Sequence, residues 1–166
     1  MLGARWGVTD AETQMRFPCD ELVSQPRWQA WRGVSVRAAP DQVWPWIRQI
    51  RVAPYSYDWI DNLGRRSPRH LVQLPEPVVG DPFTATAGRA QGTVVAVEPG
   101  RSLTATIMGV HMSYLLEPEG EKATRLLLKI VGRGDPILAT PLVLGDLVMA
   151  RRQLLNLKHL AEHAAS

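Results

Sequence analysis

The densest group of residues that could do chemistry is Tyr55, Tyr57, Asp58, Trp59 and Asp61, all within one short segment. Tyrosine hydroxyls and carboxylates orient polar ligand groups or transfer protons, and an indole offers a broad apolar face. We expect Tyr55, Tyr57 and Trp59 at the mouth of a ligand cavity, with Tyr57 and Asp58 as candidate catalytic groups. The alternative, that the aromatic rings fill the core and the aspartates cap a helix, stays open.

His111 is a second candidate for acid–base chemistry, because an unperturbed imidazole titrates near neutral pH. It lies in a strand-like segment where His111 and Ser113 share one face and Met112 and Tyr114 share the other. If His111 points inward, it is the best general acid or base. If Tyr114 points inward, its buried hydroxyl needs a partner or a ligand. A histidine near a strand end can also be structural or exposed.

Apolar residues at alternating strand positions and along a helical stripe are the expected lining of an internal cavity. Such a lining predicts a hydrophobic ligand, although a filled core produces the same pattern. The expected ligand-binding residues are Tyr55, Tyr57, Trp59, Leu103, Ile107, Tyr114, Leu126, Leu128, Leu154 and Leu157.

The sequence predicts neither a metal site nor a cofactor. Cys19 is the single cysteine, and His159 and His163 lack the intervening glutamate of a zinc-binding HExxH pattern. There is no GxSxG, P-loop or GxGxxG motif to support a serine hydrolase, a P-loop nucleotide site or a dinucleotide fold. A nucleophilic role for Cys19 is disfavoured, because no base can be assigned to it.

Length and composition indicate one globular domain. The chain has 166 residues, of which 45% are hydrophobic and 21% charged. The first residues lack the apolar core of a signal peptide, and no apolar run approaches the ~18 residues of a membrane span. We therefore expect a cytoplasmic protein without stable membrane insertion. Both a monomer and a homodimer remain open.

The tryptophans and the positive charge are concentrated in the same part of the chain. All six Trp precede position 60, and residues 31–70 contain seven Arg against three Asp. Basic and aromatic residues together are typical of proteins that bind single-stranded nucleic acid. However, we expect Trp46 and Trp59 to pack inward and the arginines to be solvated, so no nucleic-acid partner is predicted.

Local patterns predict an extended N-terminal leader, residues 1–30, packed on a domain formed by residues 31–166. In the last strand Arg125 and Lys129 alternate with leucines, which predicts a sheet with one solvated face. Proline suits the first turn of a helix, so Pro141 or its neighbours should mark the start of the last helix. The predicted elements are a strand at 31–38, a helix after Asp41, a short helix at 55–64, strands at 83–86, 92–98, 102–108, 112–117 and 124–131, and a helix at about 142–163.

These elements imply an α+β fold with a β-α-α start. An open sheet must bury one face, and the final helix, about 30 Å long, is the only predicted element that can cover it. We therefore expect a curved antiparallel sheet of about six strands gripping a long C-terminal helix. A gap between sheet and helix is the natural ligand site.

Several segments resemble the START-like, or SRPBCC, superfamily and its helix-grip fold. They are Trp6–Asp10, Cys19–Leu22, Ala39–Ile47, Tyr55–Trp59, Gly80–Asp81 and Met149–Lys158, and only Cys19 departs, standing where a glycine is expected. The resemblance is to a bacterial subgroup related to polyketide cyclases/dehydratases and lipid-transfer proteins. It implies a ligand carrier, a sensor or an enzyme, and no catalytic motif transfers with it.

Three functions follow as hypotheses. The first is binding of a small hydrophobic ligand, lipid or polyketide-like, in a cavity between sheet and C-terminal helix, as a carrier or sensor. The second is a cyclase/dehydratase-like enzyme that uses His111, Tyr114, Tyr57 and Asp58. The third is a protein-interaction module whose core is filled by Trp and Leu side chains.

Overall fold

The computed structural model describes residues 4–134 and 136–165; within 136–147 it describes only the helical backbone. The elements are β1 (Arg5–Trp6), α1 (Asp10–Gln14), a 3₁₀ helix (Pro18–Glu21), β2 (Trp28–Val36), α2 (Pro40–Gln49), α3 (Asp58–Asp61), β3 (Pro82–Thr86), β4 (Arg89–Glu98), β5 (Ser102–Ile107), β6 (Val110–Pro118), β7 (Thr124–Gly132) and α4 (Pro136–Ala164).

The strands form one sheet in the order β1-β2-β7-β6-β5-β4-β3. All neighbours are antiparallel except β1, which pairs parallel with β2. The short strand β1 makes this sheet seven-stranded where about six strands were expected. Helix α4 packs on the sheet against β2, and α2 packs against α4. The α+β helix-grip architecture is therefore confirmed.

The main core lies between the sheet and the two helices α2 and α4. Alternation along β7 sends Leu126, Leu128 and Ile130 into this core, where they meet Leu154 and Leu157 of α4. All five side chains are at most 1% exposed. Burial of this much apolar surface, at about 25 cal/mol per Å², holds the helices on the sheet.

The N-terminal segment covers the opposite face of the sheet. Phe17, Cys19 and Val23 pack against Leu115 and Leu127 in a second apolar cluster. The segment is not extended throughout, because residues 4–27 contain a strand, a helix and a 3₁₀ helix. In addition, β2 begins at Trp28, before the expected boundary at residue 31.

A capping box starts α1 in this segment. Glu12 N donates to Thr9 Oγ1 at 3.2 Å, and Thr9 N donates to Glu12 Oε2 at 2.7 Å. The Arg125 guanidinium of β7 donates to both oxygens of the Glu12 carboxylate, at 2.5 and 3.0 Å. The helix cap and the sheet are thus joined through one glutamate.

The prediction of a solvated sheet face is wrong at Lys129, which is only 5% exposed. Alternation shows that Lys129 faces away from the main core, but it does not show whether another segment covers that face. Two helix boundaries also differ from expectation. Helix α4 begins at Pro136, so Pro141 lies within it, and α3 is limited to Asp58–Asp61. Among the described residues, no helix has the length and apolarity to cross a membrane.

Candidate functional site

Two neighbouring pockets, and not one, lie at the end of the sheet near α3. The inner cavity, about 220 Å³, lies between one end of the sheet and α4 and opens to solvent near Met108, which is exposed. The outer pocket, about 380 Å³, opens between the segment 55–59 and α4. The described lining of the inner cavity is Pro54, Ser56, Asp61, Phe83, Thr84, Thr86, Ile107, Met108, Met112, Tyr114, Leu128, Ile130, Met149, Ala150 and Gln153. That of the outer pocket is Tyr55, Ser56, Tyr57, Asp58, Trp59, Ser67, Arg69, Arg152, Asn156, His159 and Leu160.

The inner cavity has mainly apolar walls, and the polar groups of one wall are paired. The Tyr114 hydroxyl donates to Gln153 Oε1 at 2.6 Å, and Gln153 Nε2 donates to Pro54 O at 2.6 Å. Gln153 therefore supplies the partner that a buried tyrosine requires. The same two bonds connect the sheet, α4 and the segment before α3 across the cavity wall.

Two other lining residues have unmet hydrogen-bonding capacity. Asp61 Oδ1 and Thr84 Oγ1 are buried and make no hydrogen bond to any described residue. Burial raises the pKa of Asp61 to about 6, against the opposing effect of backbone hydrogen bonds from Tyr57 and Asp61 to its carboxyl group, and the nearby Asp58 charge adds to the rise. Asp61 is also the single charged residue in the described lining. The cavity therefore combines an apolar body with acid and hydroxyl groups.

The outer pocket is polar, basic and aromatic. The expectation that Trp59 packs inward is wrong, since it is 74% exposed. Arg69, Arg152 and His159 are also exposed at the pocket. The Arg152 guanidinium carbon lies 5.7 Å from the centre of the Tyr57 ring, within cation–π range.

Tyr55 determines which side chains reach each pocket. Its φ of 57° is in the left-handed region, which costs a non-glycine residue of the order of 1–3 kcal/mol. The ring is 2% exposed, and its hydroxyl accepts from Gln49 Nε2 at 2.6 Å and donates to Pro68 O at 2.8 Å. Burial raises the pKa of this hydroxyl to about 12, against the opposing effect of the Gln49 hydrogen bond. Tyr55 is therefore an anchor of the pocket floor.

Asp58 anchors the loop that borders the outer pocket. Its two carboxylate oxygens accept from Ser67 N at 2.9 Å and from Ser67 Oγ at 2.6 Å. From α4, Asn156 Nδ2 donates to Tyr55 O at 2.9 Å and to Ser56 O at 3.1 Å. These contacts fix the backbone from which Tyr57 and Trp59 project.

His111 does not line either pocket. It shares a face of β6 with Ser113, away from the cavity-lining Met112 and Tyr114. Its Nδ1 is 2.8 Å from Thr106 Oγ1. Burial, and then the charge of Arg133, lowers the pKa of His111. The hypothesis that His111 acts with the residues of the 55–61 segment in one acid–base site is therefore contradicted by the geometry.

The predicted ligand-binding residues fall into three groups. Ile107, Tyr114 and Leu128 line the inner cavity. Tyr55, Tyr57 and Trp59, with the catalytic candidate Asp58, line the outer pocket. The remaining four lie in the main core and line neither pocket: Leu103, Leu126, Leu154 and Leu157.

Sequence reasoning did not identify Thr84 and Gln153 in the inner cavity, or Arg69, Arg152 and His159 in the outer pocket. One usable signal was present: Arg152, Asn156 and His159 are spaced i, i+4, i+7 and so share one helix face. Nothing local connects Thr84 with the cavity. In the described part of the chain, no three His, Cys, Asp or Glu side chains are grouped as metal ligands.

Comparison with known proteins gives structural matches alone. No protein-family model matches the chain, and no curated protein matches it by sequence. A Staphylococcus saprophyticus protein of known structure has a TM-score of 0.57 and 12% identity over 83% of this chain and 94% of its own. A Mesorhizobium loti protein has a TM-score of 0.54 and 17% identity, covering 81% of this chain and 97% of its own. A conserved Enterococcus faecalis protein of unknown function has a TM-score of 0.52 and 12% identity, covering 83% and 73%.

At these identities the matches show a common fold and no common function. The chain therefore has the fold of these bacterial proteins: an open, mostly antiparallel sheet with a C-terminal helix packed on it.

Proposed function

We propose that this protein binds a small hydrophobic ligand in the inner cavity, as a carrier or sensor. The observation that supports this most directly is the cavity itself, which lies between the sheet and α4 and is lined by side chains such as Phe83, Met112, Leu128 and Ile130. The third hypothesis, an interaction module with a filled core, does not account for this cavity.

The size of the cavity restricts the ligand. An apolar cavity of about 150 Å³ in a protein holds a benzene molecule. The inner cavity, at about 220 Å³, is roughly half as large again. A single ring with a short substituent, or a short acyl chain, matches this space, and its affinity derives from apolar burial at about 25 cal/mol per Å².

Asp61 and Thr84 favour a ligand with one polar end. A hydrogen-bond donor on the ligand would satisfy the buried Asp61 Oδ1, and a hydroxyl would also suit Thr84 Oγ1. Pairing such an oxygen recovers hydrogen bonding that burial has removed, and charged hydrogen bonds contribute about 1.5–3 kcal/mol. We therefore favour a compact apolar ligand carrying a hydroxyl or amino group.

Benzyl alcohol, benzylamine and toluene test this proposal, because they share a ring and differ in the polar end. We expect chemical-shift changes in NMR spectra at Met112 and Leu128, and tighter binding of the first two compounds. Ala150→Leu fills the cavity from α4 and should weaken binding at least tenfold. The control Ala164→Leu, at an exposed position of the same helix, should bind as the parent does. Absence of shifts with all three compounds would contradict the proposal.

A cyclase- or dehydratase-like reaction is the second candidate function, and the observation that favours it is Asp61. A carboxyl group with a pKa near 6 inside an apolar cavity is a suitable general base near neutral pH. The substitution Asp61→Asn separates the two functions, since it would abolish turnover of an enolisable substrate and leave binding of toluene intact. Unchanged turnover in this variant would exclude Asp61 as the base.

A further inference from the structure

We propose that the outer pocket is a second, separate binding site, and that it takes a small organic anion: a carboxylate or phosphate group attached to an aromatic ring. This site is distinct from the inner cavity and adds to the proposed function.

The first support is charge. Arg69 and Arg152 lie at the pocket, and neither forms a salt bridge with a described residue. Their guanidinium groups can each bind two oxygens of a carboxylate or phosphate. The acidic side chain of the lining, Asp58, already accepts two hydrogen bonds from Ser67. Two arginines and one aspartate give the described lining a net charge of +1, leaving His159 out of the sum.

The second support is the exposed aromatic surface beside these charges. Trp59 is 74% exposed, whereas three other tryptophans are buried, and Tyr57 also lines the pocket. Indole and phenol rings stack on flat apolar ligands, and arginine adds a cation–π contribution. Leu160, partly buried, extends the apolar surface from α4. The pocket thus has aromatic side chains that can contact a ligand ring, beside arginines that can bind an anionic group.

The third support is that the pocket floor is preorganised. Tyr55 has a left-handed backbone, and Gln49, Pro68 and Asn156 all hold it in place through hydrogen bonds. Unfavourable backbone conformations that the surroundings enforce are concentrated at functional sites. The aromatic residues therefore project from a fixed support, which reduces the entropy lost on binding.

The two sites are physically separate. Ser56 is the one described residue that lines both. Between them runs the segment 54–56, tied to α4 by the side-chain amides of Gln153 and Asn156. The two sites therefore share this segment as a wall and differ in the rest of their described lining.

Phenyl phosphate, inorganic phosphate and phenol test the proposal, because they present anion and ring together or singly. We expect calorimetry to show phenyl phosphate binding at least tenfold more tightly than either of the others, with affinity falling as salt is added. The double variant R69Q/R152Q should lose at least tenfold in affinity. The matched control R66Q/R89Q removes two exposed arginines outside the pocket and should change it less than twofold.

Equal losses in the two double variants would show that general surface charge attracts the anion, and would overturn the proposal. So would equal binding of phenyl phosphate and inorganic phosphate, or of phenyl phosphate and phenol. Because all four arginines are exposed, unchanged thermal unfolding will verify that the variants fold. The variant Ala150→Leu should bind phenyl phosphate normally, which separates failure at this site from failure at the inner cavity.

Discussion

The ammonium group of Lys129 lies 2.5 Å from a carboxylate oxygen of Asp20, under the N-terminal segment. The Lys129 Nζ is also 5.7 Å from the centre of the Phe17 ring and 5.1 Å from that of Trp31. One charged side chain of β7 is thus enclosed by one carboxylate and two aromatic rings. These contacts attach the N-terminal segment to the face of the sheet that carries Lys129.

The two halves of this ion pair should respond differently to substitution. Asp20→Asn leaves a buried ammonium group without its counter-charge, and we expect a loss of about 2–3 kcal/mol in the free energy of unfolding, measured by urea denaturation. Lys129→Met keeps the apolar stem and removes the buried charge, while Asp20, 27% exposed, regains water. Its cost should stay below about 1 kcal/mol.

The exposed pair between Arg16 and Glu21 provides the control, with side chains 80% and 65% exposed. Arg16→Gln should change the free energy of unfolding by less than about 0.5 kcal/mol. Equal losses in the free energy of unfolding for Asp20→Asn and Lys129→Met would contradict the expected difference between the two halves of the ion pair.

Cys19 should be unreactive in the folded protein. It is fully buried, and burial raises its thiol pKa to about 11, against the opposing hydrogen bond from Ser113. Because the thiolate is the reactive form, a disulfide reagent should label native protein very slowly and urea-unfolded protein at once. Asp20→Asn should accelerate native labelling by loosening the N-terminal segment. Rapid labelling of the unmodified protein would show that this segment is undocked in solution.

Asp61 should make stability depend on pH in the direction opposite to that of a salt-bridged acid. Its pKa is raised to about 6 in the folded protein, so stability falls as pH rises from about 4 to 6, where the folded state retains a proton that the unfolded state releases. Asp61→Asn should therefore match the parent near pH 4 and exceed it by about 1 kcal/mol at pH 8, a value reduced for partial solvent exposure. Urea denaturation at both pH values measures this difference.

The control for that experiment is Glu121→Gln, at an exposed position. It should show the pH profile of the parent protein. A parallel shift of the Asp61→Asn curve at all pH values would indicate a packing effect and would reject titration of Asp61 as the cause.

Glu162 should make stability depend on pH in the direction opposite to that of Asp61. Although burial opposes it, hydrogen bonds from Lys158 Nζ at 2.7 Å and Arg37 N at 2.8 Å lower the pKa of Glu162 to about 2. Its contribution is present above about pH 4.5 and disappears as pH falls towards 2. Glu162→Gln should cost about 1–2 kcal/mol at pH 7 and almost nothing near pH 2, as measured by urea denaturation.

For comparison, Glu98→Gln alters an exposed ion pair with Arg101 and should have a small effect at either pH. If Glu162→Gln lowers the free energy of unfolding equally at pH 7 and pH 2, the loss comes from altered packing and not from the charge of Glu162.

The order of elements could be predicted from the sequence, because helix and strand periodicity is a property of neighbouring residues. The strand pattern of 124–131 and the helical stripe through Leu154 and Leu157 identified the two sides of the core. By contrast, the sequence predicts that the N-terminal segment packs on the domain but not what it packs against, because its partners lie more than 100 positions away, as Lys129 does from Asp20.

In the candidate site, too, local sequence predicts some features and distant contacts decide others. The sequence identifies the densest group of candidate residues, because their side-chain chemistry is concentrated in one segment: Tyr55, Tyr57, Asp58, Trp59 and Asp61. Their division between two pockets is a property of the tertiary fold and has no signal in the local sequence. Tyr57 and Trp59, which follow the left-handed Tyr55, line the outer pocket, whereas Asp61 at the end of α3 lines the inner cavity. That backbone conformation is enforced by Gln49, Pro68 and Asn156, and contacts from such distant segments cannot be read from local periodicity.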